Sequence, residues 1–306
     1  NFMMLGELSL DGSLVAVKGV LPIAINARSE GFKSIIVPLE NANEAAVVEG
    51  IHVYGFSHIR EVTDFLNGKQ QAEPFTFDPT LSEVTNDLLY DFKDVKGQET
   101  VKRALEIAAA GAHNLLMVGA PGSGKTMLAR RLPGILPPMS VEESLETTKI
   151  HSVAGKLSRN CSLITTRPFR SPHHTISPIA LIGGGSFPRP GEISLATNGV
   201  LFLDELTEFQ RNVLEVMRQP LEDRKITIRR ARYSVDYPAN FMLIASMNPC
   251  PCGYYNHPTK ECTCSGSAIQ HYLSKISGPL LDRIDMHIEV VPVELEKIAG
   301  IQEADP

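Results

Sequence analysis

The sequence predicts an α/β protein whose main sheet is mostly parallel. Three short, continuous apolar runs of the kind that form buried parallel strands occur at Asn114–Val118, Val200–Leu203 and Met242–Ala245. Segments with helical spacing of apolar residues, Val101–Ala110 and Thr126–Leu132, stand on either side of the first run, with glycine-containing turns between them. Because strands that alternate with helices favour a parallel sheet covered by helices, we assign this part of the chain to the α/β class.

The composition agrees with a globular protein and excludes several other classes. The 306 residues are 43% apolar and carry 29 Lys and Arg against 35 Asp and Glu, a formal charge of −6. These values exclude a disordered acidic chain, a collagen-like fibre and a generally basic nucleic-acid coat. No apolar run approaches the roughly 18–20 residues that span a bilayer, and no secretory leader opens the sequence. With only five cysteines, a secreted disulfide framework is not expected, so we predict a cytoplasmic protein without a membrane partner.

The chain divides into four parts by its sequence pattern. Residues 1–67 alternate short β-type runs with turns and short helices, which predicts a small α+β domain. Its predicted strands and helices are, in turn, Leu5–Leu10, Leu14–Val17, Ser34–Pro38 and Ile51–Tyr54, and Leu21–Ser29 and Asn43–Glu49. In residues 68–91 this alternation of apolar runs and turns ends, and polar residues and prolines follow, which predicts a linker. Residues 92–293 form the predicted α/β core, and residues 294–306 form a short C-terminal tail.

A phosphate-binding loop is predicted directly after the first apolar run of the core. The pattern G-x-x-x-x-G-K-S/T is matched in every fixed position by Gly119, Ala120, Pro121, Gly122, Ser123, Gly124, Lys125 and Thr126. Glycines let the backbone wrap a phosphate, so that amide N–H groups and the helix N-terminus face its negative charge. Lys125 can reach the β- and γ-phosphates, and the Thr126 hydroxyl can ligate Mg²⁺. The loop therefore predicts that ATP and Mg²⁺ bind here.

Two further polar strand ends complete the predicted nucleotide site. Asp204 and Glu205 follow the run Val200–Leu203, at the strand end where ligands collect in open α/β sheets. Asp204 is predicted to hold the Mg²⁺ shell, and Glu205 is predicted to polarise a water for in-line attack on the γ-phosphate. Asn248 ends the next apolar run and can orient that water or contact the γ-phosphate, although an Asn before Pro249 also suits a simple turn.

Four cysteines form a candidate metal site. Cys250 and Cys252 are separated from Cys262 and Cys264 by nine residues, and tetrahedral Zn²⁺ accepts four thiolates. The C-x-C spacing is less usual than C-x-x-C, so reduced thiols on a loop and a disulfide remain open as alternatives. Cys161 is left over from this set.

A cationic segment is a candidate contact for nucleic acid. Arg224–Tyr233 contains five cations in an alternating pattern, with two isoleucines spaced so that they face a core. This pattern predicts a hairpin with Arg229, Arg230 and Arg232 around its tip, where they can contact the phosphate backbone of DNA. A solvated hairpin with salt bridges to its neighbours is the alternative. The overall charge of −6 does not exclude nucleic acid, since the field around such a tip is local.

Longer strings around these motifs resemble one known family. The strings are Arg167–His174, Gly183–Gly185, Arg189–Gly199, Asn248–Gly253 and Leu280–Asp285. Together with the phosphate loop and the Asp-Glu strand end, they look like the YifB/ComM family of magnesium-chelatase-like AAA+ ATPases, over residues 5–293. The resemblance implies a P-loop AAA+ domain that hydrolyses ATP.

The same resemblance implies roles for individual residues. Asn248 matches the sensor-one Asn of AAA+ motors, and Arg283 matches the arginine finger that stabilises γ-phosphate charge in the neighbouring subunit. A homo-oligomeric ring, typically a hexamer, is then expected. The alternative for Arg283 is a surface ion pair with Asp282 or Asp285. Residues 95–98 stand where this superfamily often packs the adenine.

For the substrate, the resemblance implies DNA. ComM-like members are taken to be branch-migration helicases that serve the recombination of incoming DNA, whereas the chelatase relatives couple ATP to metal insertion into a porphyrin. A nucleotide-switched adaptor without turnover is a third hypothesis, which the intact Glu205 disfavours. His173 and His174 could contact DNA from an inserted loop, but we interpret them as ordinary loop residues.

The N-terminal part resembles the second half of a Lon-type protease domain, through Gly6–Gly12 and Val37–Asn41. Leu21 occupies the position where this resemblance would place the Lon lysine, so we expect an incomplete, non-proteolytic domain. AAA+ motors also carry a helical lid after the arginine finger. Because 23 residues follow Arg283, we expect that the lid is largely missing and that this chain by itself binds nucleotide weakly.

Overall fold

The computed structural model describes residues 2–78, 82–83, 90–158, 161–185, 187–230 and 233–292. Its strands are β1 Phe2–Met4, β2 Glu7–Leu8, β3 Leu14–Val15, β4 Ser34–Pro38, β5 His52–Phe56, β6 Ser82–Glu83, β7 Leu115–Gly119, β8 Leu163–Ile164, β9 Phe169–Arg170, β10 Gly183–Gly184, β11 Arg189–Pro190, β12 Val200–Leu203, β13 Lys225–Arg230, β14 Tyr233–Pro238, β15 Met242–Met247 and β16 Met286–Val290. Its helices are α1 Val20–Ser29, α2 Ala42–Ala46, α3 Ile59–Leu66, α4 Glu99–Gly111, α5 Lys125–Arg131, α6 Val141–Ala154, α7 Pro178–Ile182, α8 Glu192–Leu195, α9 Arg211–Glu215, α10 Arg218–Asp223, α11 Gly266–Leu273 and α12 Gly278–Leu281. Within the described ranges, none of the helices combines the length and the apolar content that a bilayer crossing requires.

The chain forms two compact units that do not follow chain order. Unit 1 comprises Asn1–Val84 and Met139–Thr166, and unit 2 comprises Thr85–Pro138 and Arg167–Pro306. The predicted ranges, with boundaries at 67, 91 and 293, assigned residues 139–166 to the α/β core. In the structure these residues belong to unit 1, because α6 packs on α1 and β8 pairs with β6.

Unit 1 is built on a three-stranded parallel sheet in the order β1-β4-β5. The bounds of β4, Ser34–Pro38, are those predicted, whereas the predicted strand Leu5–Leu10 shortens to Glu7–Leu8. It shortens because the chain turns back after Leu8, with the Gly12 amide bonded to the Ser9 carbonyl. The side chain of Leu21 on α1 is fully buried in the apolar core between the helices and this sheet.

A buried carboxylate joins three helices of unit 1. Glu44 on α2 accepts a hydrogen bond from the amide of Leu21 at 2.9 Å, in the first turn of α1, whose N-cap residue, Gly19, supplies no side-chain acceptor. The Ser152 hydroxyl on α6 and the Asn41 side-chain amide, the latter at 3.3 Å, also donate to Glu44. Because helix N-termini carry unpaired N–H groups and partial positive charge, a carboxylate is a suitable partner there. Glu44 therefore links α6 to α1 and α2 by hydrogen bonds.

Unit 2 is built on a five-stranded parallel sheet in the order β16-β7-β15-β12-β9, which confirms the predicted fold class. Leu115 and Met117 of β7 pack with α4 and α5 on one face, and Leu116 packs on the other face with α9 to α12. The bounds of β12, Val200–Leu203, are those predicted. Since β15 lies between β7 and β12, the carboxyl ends of these three strands meet at one edge of the sheet.

The cationic segment forms the predicted hairpin. Strands β13 and β14 pair in antiparallel register, from Lys225 opposite Pro238 to Arg230 opposite Tyr233. Ile226 and Ile228 are buried in the core of unit 2, as their spacing predicted.

We expect Glu44→Ala to destabilise unit 1. The substitution leaves the buried Leu21 amide without an acceptor, and each buried donor left unsatisfied costs about 1–3 kcal/mol. Because the Ser152 hydroxyl loses its acceptor too, we expect the free energy of unfolding to fall by about 2–3 kcal/mol, measured by urea denaturation. The matched control is Glu49→Ala, which removes an exposed carboxylate from the same region. Equal unfolding curves for the two variants would contradict this role of Glu44.

Candidate nucleotide and metal sites

The predicted phosphate loop connects β7 to α5. The helix begins at Lys125, directly after Gly124, whose φ of +92° lies in the left-handed region that residues with a Cβ rarely adopt. The loop therefore needs glycine at this position to turn from the strand into the helix.

Lys125 lies folded against its own loop. Its ammonium donates to the carbonyl oxygens of Gly119 at 2.7 Å and Ala120 at 2.9 Å, and to the side-chain oxygen of Asn248 at 3.3 Å. The side chain is buried, and this burial lowers the pKa of Lys125 below its usual 10.5, while the charges of Asp204 and Glu205 partly oppose the shift. All three acceptors are neutral oxygens, so the structure brings Lys125 and Asn248 together, and among the described residues no ion pair fixes the ammonium.

Asp204 is held by donors from three elements. The Thr126 hydroxyl of α5 donates to Asp204 Oδ2 at 2.6 Å, and the Ser246 hydroxyl of β15 donates to Oδ1. The amide of Glu205 also donates to Oδ1, at 3.1 Å. The two predicted Mg²⁺ ligands, Thr126 and Asp204, therefore lie side by side. Ser246 was not among the predicted site residues, although a serine within an otherwise apolar run was a signal for a polar partner. In the structure Ser246 is fully buried.

Glu205 stands on a left-handed turn beside a histidine. Its φ is +55°, its side chain is 58% exposed, and its Oε2 lies 3.7 Å from Nδ1 of His174. The His174 ring packs against the rings of His173, with 4.0 Å between centroids, and of Phe209. His174 was interpreted from the sequence as an ordinary loop residue, because no local pattern connects it to Glu205, 31 positions later.

A cavity of about 520 Å³ opens beside Glu205 and Asn248. Its other walls come from Glu208, from Pro251, and from α11 and the turn after it, including Tyr272 and Lys275. The predicted water-polarising carboxylate and the predicted sensor amide therefore face the same space.

Arg283 pairs with an acidic residue that the sequence did not suggest. Its guanidinium forms an ion pair with Glu222 on α10 and donates to the Pro279 carbonyl. Of the two acidic neighbours proposed as alternatives, Asp285 accepts a hydrogen bond from the Asn114 amide at 2.8 Å instead. Among the described residues, no hydrogen bond or ion pair joins Arg283 to the phosphate loop of its own chain.

The four predicted zinc ligands converge at one point. The sulfur atoms of Cys250, Cys252, Cys262 and Cys264 all lie within 4.8 Å of one another. Cys250 is buried and the other three are half-buried. None of the five cysteines, all of which are described, is in a disulfide.

The remaining predicted contacts lie at the surface or outside the described residues. Arg229 is exposed on β13, Arg230 is placed there by its backbone, and Arg232 lies outside the described residues. The Arg224 guanidinium donates to the Phe241 carbonyl at 2.8 Å, so it belongs to the base of the hairpin. In the segment predicted near adenine, the Gln98 side chain donates to the Val291 carbonyl at 2.6 Å.

Comparison with protein families gives two matches. Residues 91–298 match the family described as magnesium chelatase, subunit ChlI, and residues 1–41 match the family described as subunit ChlI of Mg-chelatase. The longer match contains the phosphate loop, the Asp-Glu strand end, the cysteines and Arg283.

Several curated proteins are similar over most of this chain. Competence protein ComM of Haemophilus influenzae is 46% identical over 298 residues, which cover 95% of this chain and 57% of that protein. An uncharacterized protein of Escherichia coli, YifB, is 46% identical over 290 residues, 95% of this chain and 56% of that protein. The magnesium-chelatase 38 kDa subunit of Rhodobacter capsulatus is 24% identical over 190 residues, 56% of this chain and 53% of that subunit. The chain thus spans little more than half the length of these relatives.

The burial of Lys125 predicts how nucleotide affinity depends on pH. Because burial lowers the pKa of Lys125 below 10.5, its ammonium loses the proton at a lower pH than an exposed lysine does. The affinity for a triphosphate should therefore fall as the pH rises through this lowered pKa. The measurement is the Kd of a fluorescent ATP analogue between pH 7 and pH 10. In Lys125→Arg the guanidinium stays charged over that range, so its remaining affinity should not change with pH. A wild-type Kd that is constant across the range would contradict this expectation.

Proposed function

The chain belongs to the magnesium chelatase ChlI family, in its ComM/YifB group, and from this premise we propose that it is part of an ATP-hydrolysing AAA+ ring motor that acts on DNA. The proposed activity is branch migration in the recombination of incoming DNA, in the cytoplasm. Its cofactors are ATP and Mg²⁺, and Zn²⁺ is a further metal for the four cysteines. Because the chain spans little more than half of its relatives, the whole protein is the object of the tests.

The observation that carries the ATPase proposal is the meeting of α5, β15 and the end of β12 around Asp204. Thr126 Oγ1 and Asp204 Oδ2 are 2.6 Å apart, so a hydroxyl and a carboxylate oxygen lie together, and Mg²⁺ prefers such hard oxygen ligands. When bound there with ATP, Mg²⁺ would neutralise charge on the β- and γ-phosphates. The residues present fit this ion.

The chain's own residues would then divide the remaining work. Lys125 would exchange the carbonyl oxygens of Gly119 and Ala120 for phosphate oxygens, since these carbonyls belong to the loop that would wrap the phosphates. The exposed Glu205 carboxylate would accept a proton from the attacking water. Asn248, which faces the same cavity as Glu205, would orient that water.

Ring assembly is proposed because, among the described residues, no hydrogen bond or ion pair joins Arg283 to the phosphate loop of its own chain. In the proposed ring, Arg283 would exchange Glu222 for the γ-phosphate of a neighbouring subunit. This exchange would make hydrolysis depend on the assembled ring. The expected number of subunits is six.

DNA is the proposed substrate because Arg229 is exposed on a hairpin that the apolar core of unit 2 anchors. A cation on such a support can contact a phosphate backbone without sequence preference. The chelatase-type motor is the second candidate, favoured by the 24% identity with a magnesium-chelatase subunit. The 46% identity with ComM extends over a larger share of the chain and favours the DNA motor.

We expect Glu205→Gln to separate ATP binding from ATP hydrolysis in the full-length protein. Loss of a general base lowers turnover by about 10²–10⁴-fold, so kcat should fall by at least about a hundredfold. The amide keeps the size of the side chain, so ATP should still bind. The measurements are the ATPase rate with and without branched DNA and the Kd of a fluorescent ATP analogue. A wild-type protein that binds ATP and does not hydrolyse it, even in assembled rings, would instead favour the nucleotide-switched adaptor.

Arg229→Ala tests the proposed DNA contact. Loss of one phosphate contact should weaken DNA binding about equally for all sequences. It should also reduce by about one the steepness with which the logarithm of the binding constant falls with the logarithm of salt concentration. The matched control is Arg103→Ala on α4, where the guanidinium pairs with Glu106 at 2.8 Å on the surface. If the wild-type protein shows neither DNA-stimulated ATPase nor branch migration, the DNA part of the proposal is wrong. Metal insertion into a porphyrin, with partner subunits present, would then identify the chelatase-type motor.

A further inference from the structure

The four cysteines lie on a loop that has little apolar core of its own. Residues 248–265, all of which the structure describes, connect β15 to α11 through turns without a helix or strand. Gly253 and Cys250 are buried, whereas most of the residues between the two cysteine pairs are exposed. Small structures that cannot bury enough apolar surface are commonly held by a metal or by disulfides.

The distances between the sulfur atoms fit a single tetrahedral ion. Four thiolates at about 2.3 Å from a zinc ion lie about 3.8 Å from one another. Here Cys250 Sγ lies 3.3 Å from Cys252 Sγ and 3.7 Å from Cys262 Sγ, and the last two are 3.6 Å apart. Disulfides would draw the sulfurs together in pairs, whereas similar spacings among three of them indicate a common central ligand. The Cys252 amide also donates to Cys264 Sγ at 3.4 Å, which would support a thiolate there.

The ion that fits this cluster is zinc. Four thiolates in a tetrahedron select zinc or iron–sulfur clusters. In a cluster with several irons the thiolates bind different metal atoms and therefore lie farther apart than around one ion, and here all four sulfurs lie within 4.8 Å. A site with four protein ligands leaves no open position for water, which is the arrangement of structural zinc.

The same loop also touches the nucleotide site at two points. A Cβ on Gly253 would lie 2.5 Å from Cδ of Pro121, so the loop backbone rests directly on the phosphate loop. Two residues before Cys250, the Asn248 side chain accepts a hydrogen bond from Lys125. A cavity of about 490 Å³ is lined by Gly119 and Ala120 together with loop residues that include Gly253.

We propose that Cys250, Cys252, Cys262 and Cys264 bind one Zn²⁺, and that this ion holds the loop against Pro121 and keeps Asn248 in place beside Lys125. The zinc is structural in this assignment and takes no part in the chemistry of ATP. The role assigned to the ion rests on the proposed nucleotide site, whereas zinc binding itself does not depend on that site.

The test uses Cys262→Ser in the full-length protein. Cys262 lies 14 positions after Asn248 and at the far end of the loop, so its loss should reach the nucleotide site through the metal. We expect about one zinc per chain in the wild type by elemental analysis, in agreement with four thiolates around one ion. We expect Cys262→Ser to lose bound zinc. Its Kd for a fluorescent ATP analogue should rise by about tenfold, which is the typical loss of affinity when a group that orients a site is removed. Cys161→Ser, in unit 1, is the matched control and should keep both values.

Cys262→His separates loss of the metal from loss of the cysteine. Imidazole nitrogen is also a zinc ligand, so this variant should recover the zinc content and most of the ATP affinity. Wild-type protein without metal, or with iron, would overturn the zinc site. Zinc in the wild type with unchanged ATP affinity after its loss would overturn the role assigned to it. Because zinc content and ATP affinity are measured without turnover, failure of the proposed ATPase would be recognised separately.

Discussion

The hydrogen bonds to the Asp204 carboxylate are the interactions on which the candidate nucleotide site depends. Donors from Thr126, Ser246 and the Glu205 amide join the end of β12 to α5 and β15 at one point. A partly buried carboxylate is stabilised by such donors or by a cation, and here the donors come from α5, β15 and the turn after β12. The strand order makes this possible, because β15 lies between β7 and β12. The same order brings Asn248 to Lys125, so the phosphate loop, the two predicted Mg²⁺ ligands and the predicted sensor amide form one connected set.

Those parts of the fold and site that are local in sequence could be predicted. The bounds of β12 and of β4 agree with the apolar runs, because a short run bounded by turn residues specifies a buried strand by itself. The phosphate loop is equally local, since its glycines allow the backbone turn that precedes Lys125. The grouping of Asp204 with Thr126 followed from a general property of parallel sheets, whose strands end at a common edge. The spacing of the cysteines allowed zinc without deciding between zinc and free thiols.

The parts that depend on contacts between distant residues could not be predicted in the same way. Helix α6 begins at a capping box formed by Ser140 and Glu143, which is a local signal for a helix start. That signal does not show to which unit the helix belongs, because the contacts that join it to unit 1 are distant in sequence, such as the hydrogen bond from Ser152 to Glu44, 108 positions away. Arg283 pairs with Glu222 rather than with an acidic neighbour in sequence for the same reason. Charge patterns suggest that a partner exists, and the tertiary fold selects it.

The two candidate metals of unit 2 can bind without competing because their ligands differ in chemical hardness. Thr126 and Asp204 offer oxygen atoms, which suit Mg²⁺, whereas the cysteine cluster offers sulfur, which suits zinc. An ion held by four protein ligands has no position for a phosphate, so zinc would remain bound while Mg²⁺ enters and leaves with each nucleotide. Asn248 and Cys250 are separated by a single residue, so a loop fixed by zinc would limit the movement of the Asn248 side chain. ATP hydrolysis at the Mg²⁺ site would then depend on a zinc ion that stays bound. The two sites would be connected through the loop backbone, without a shared ligand.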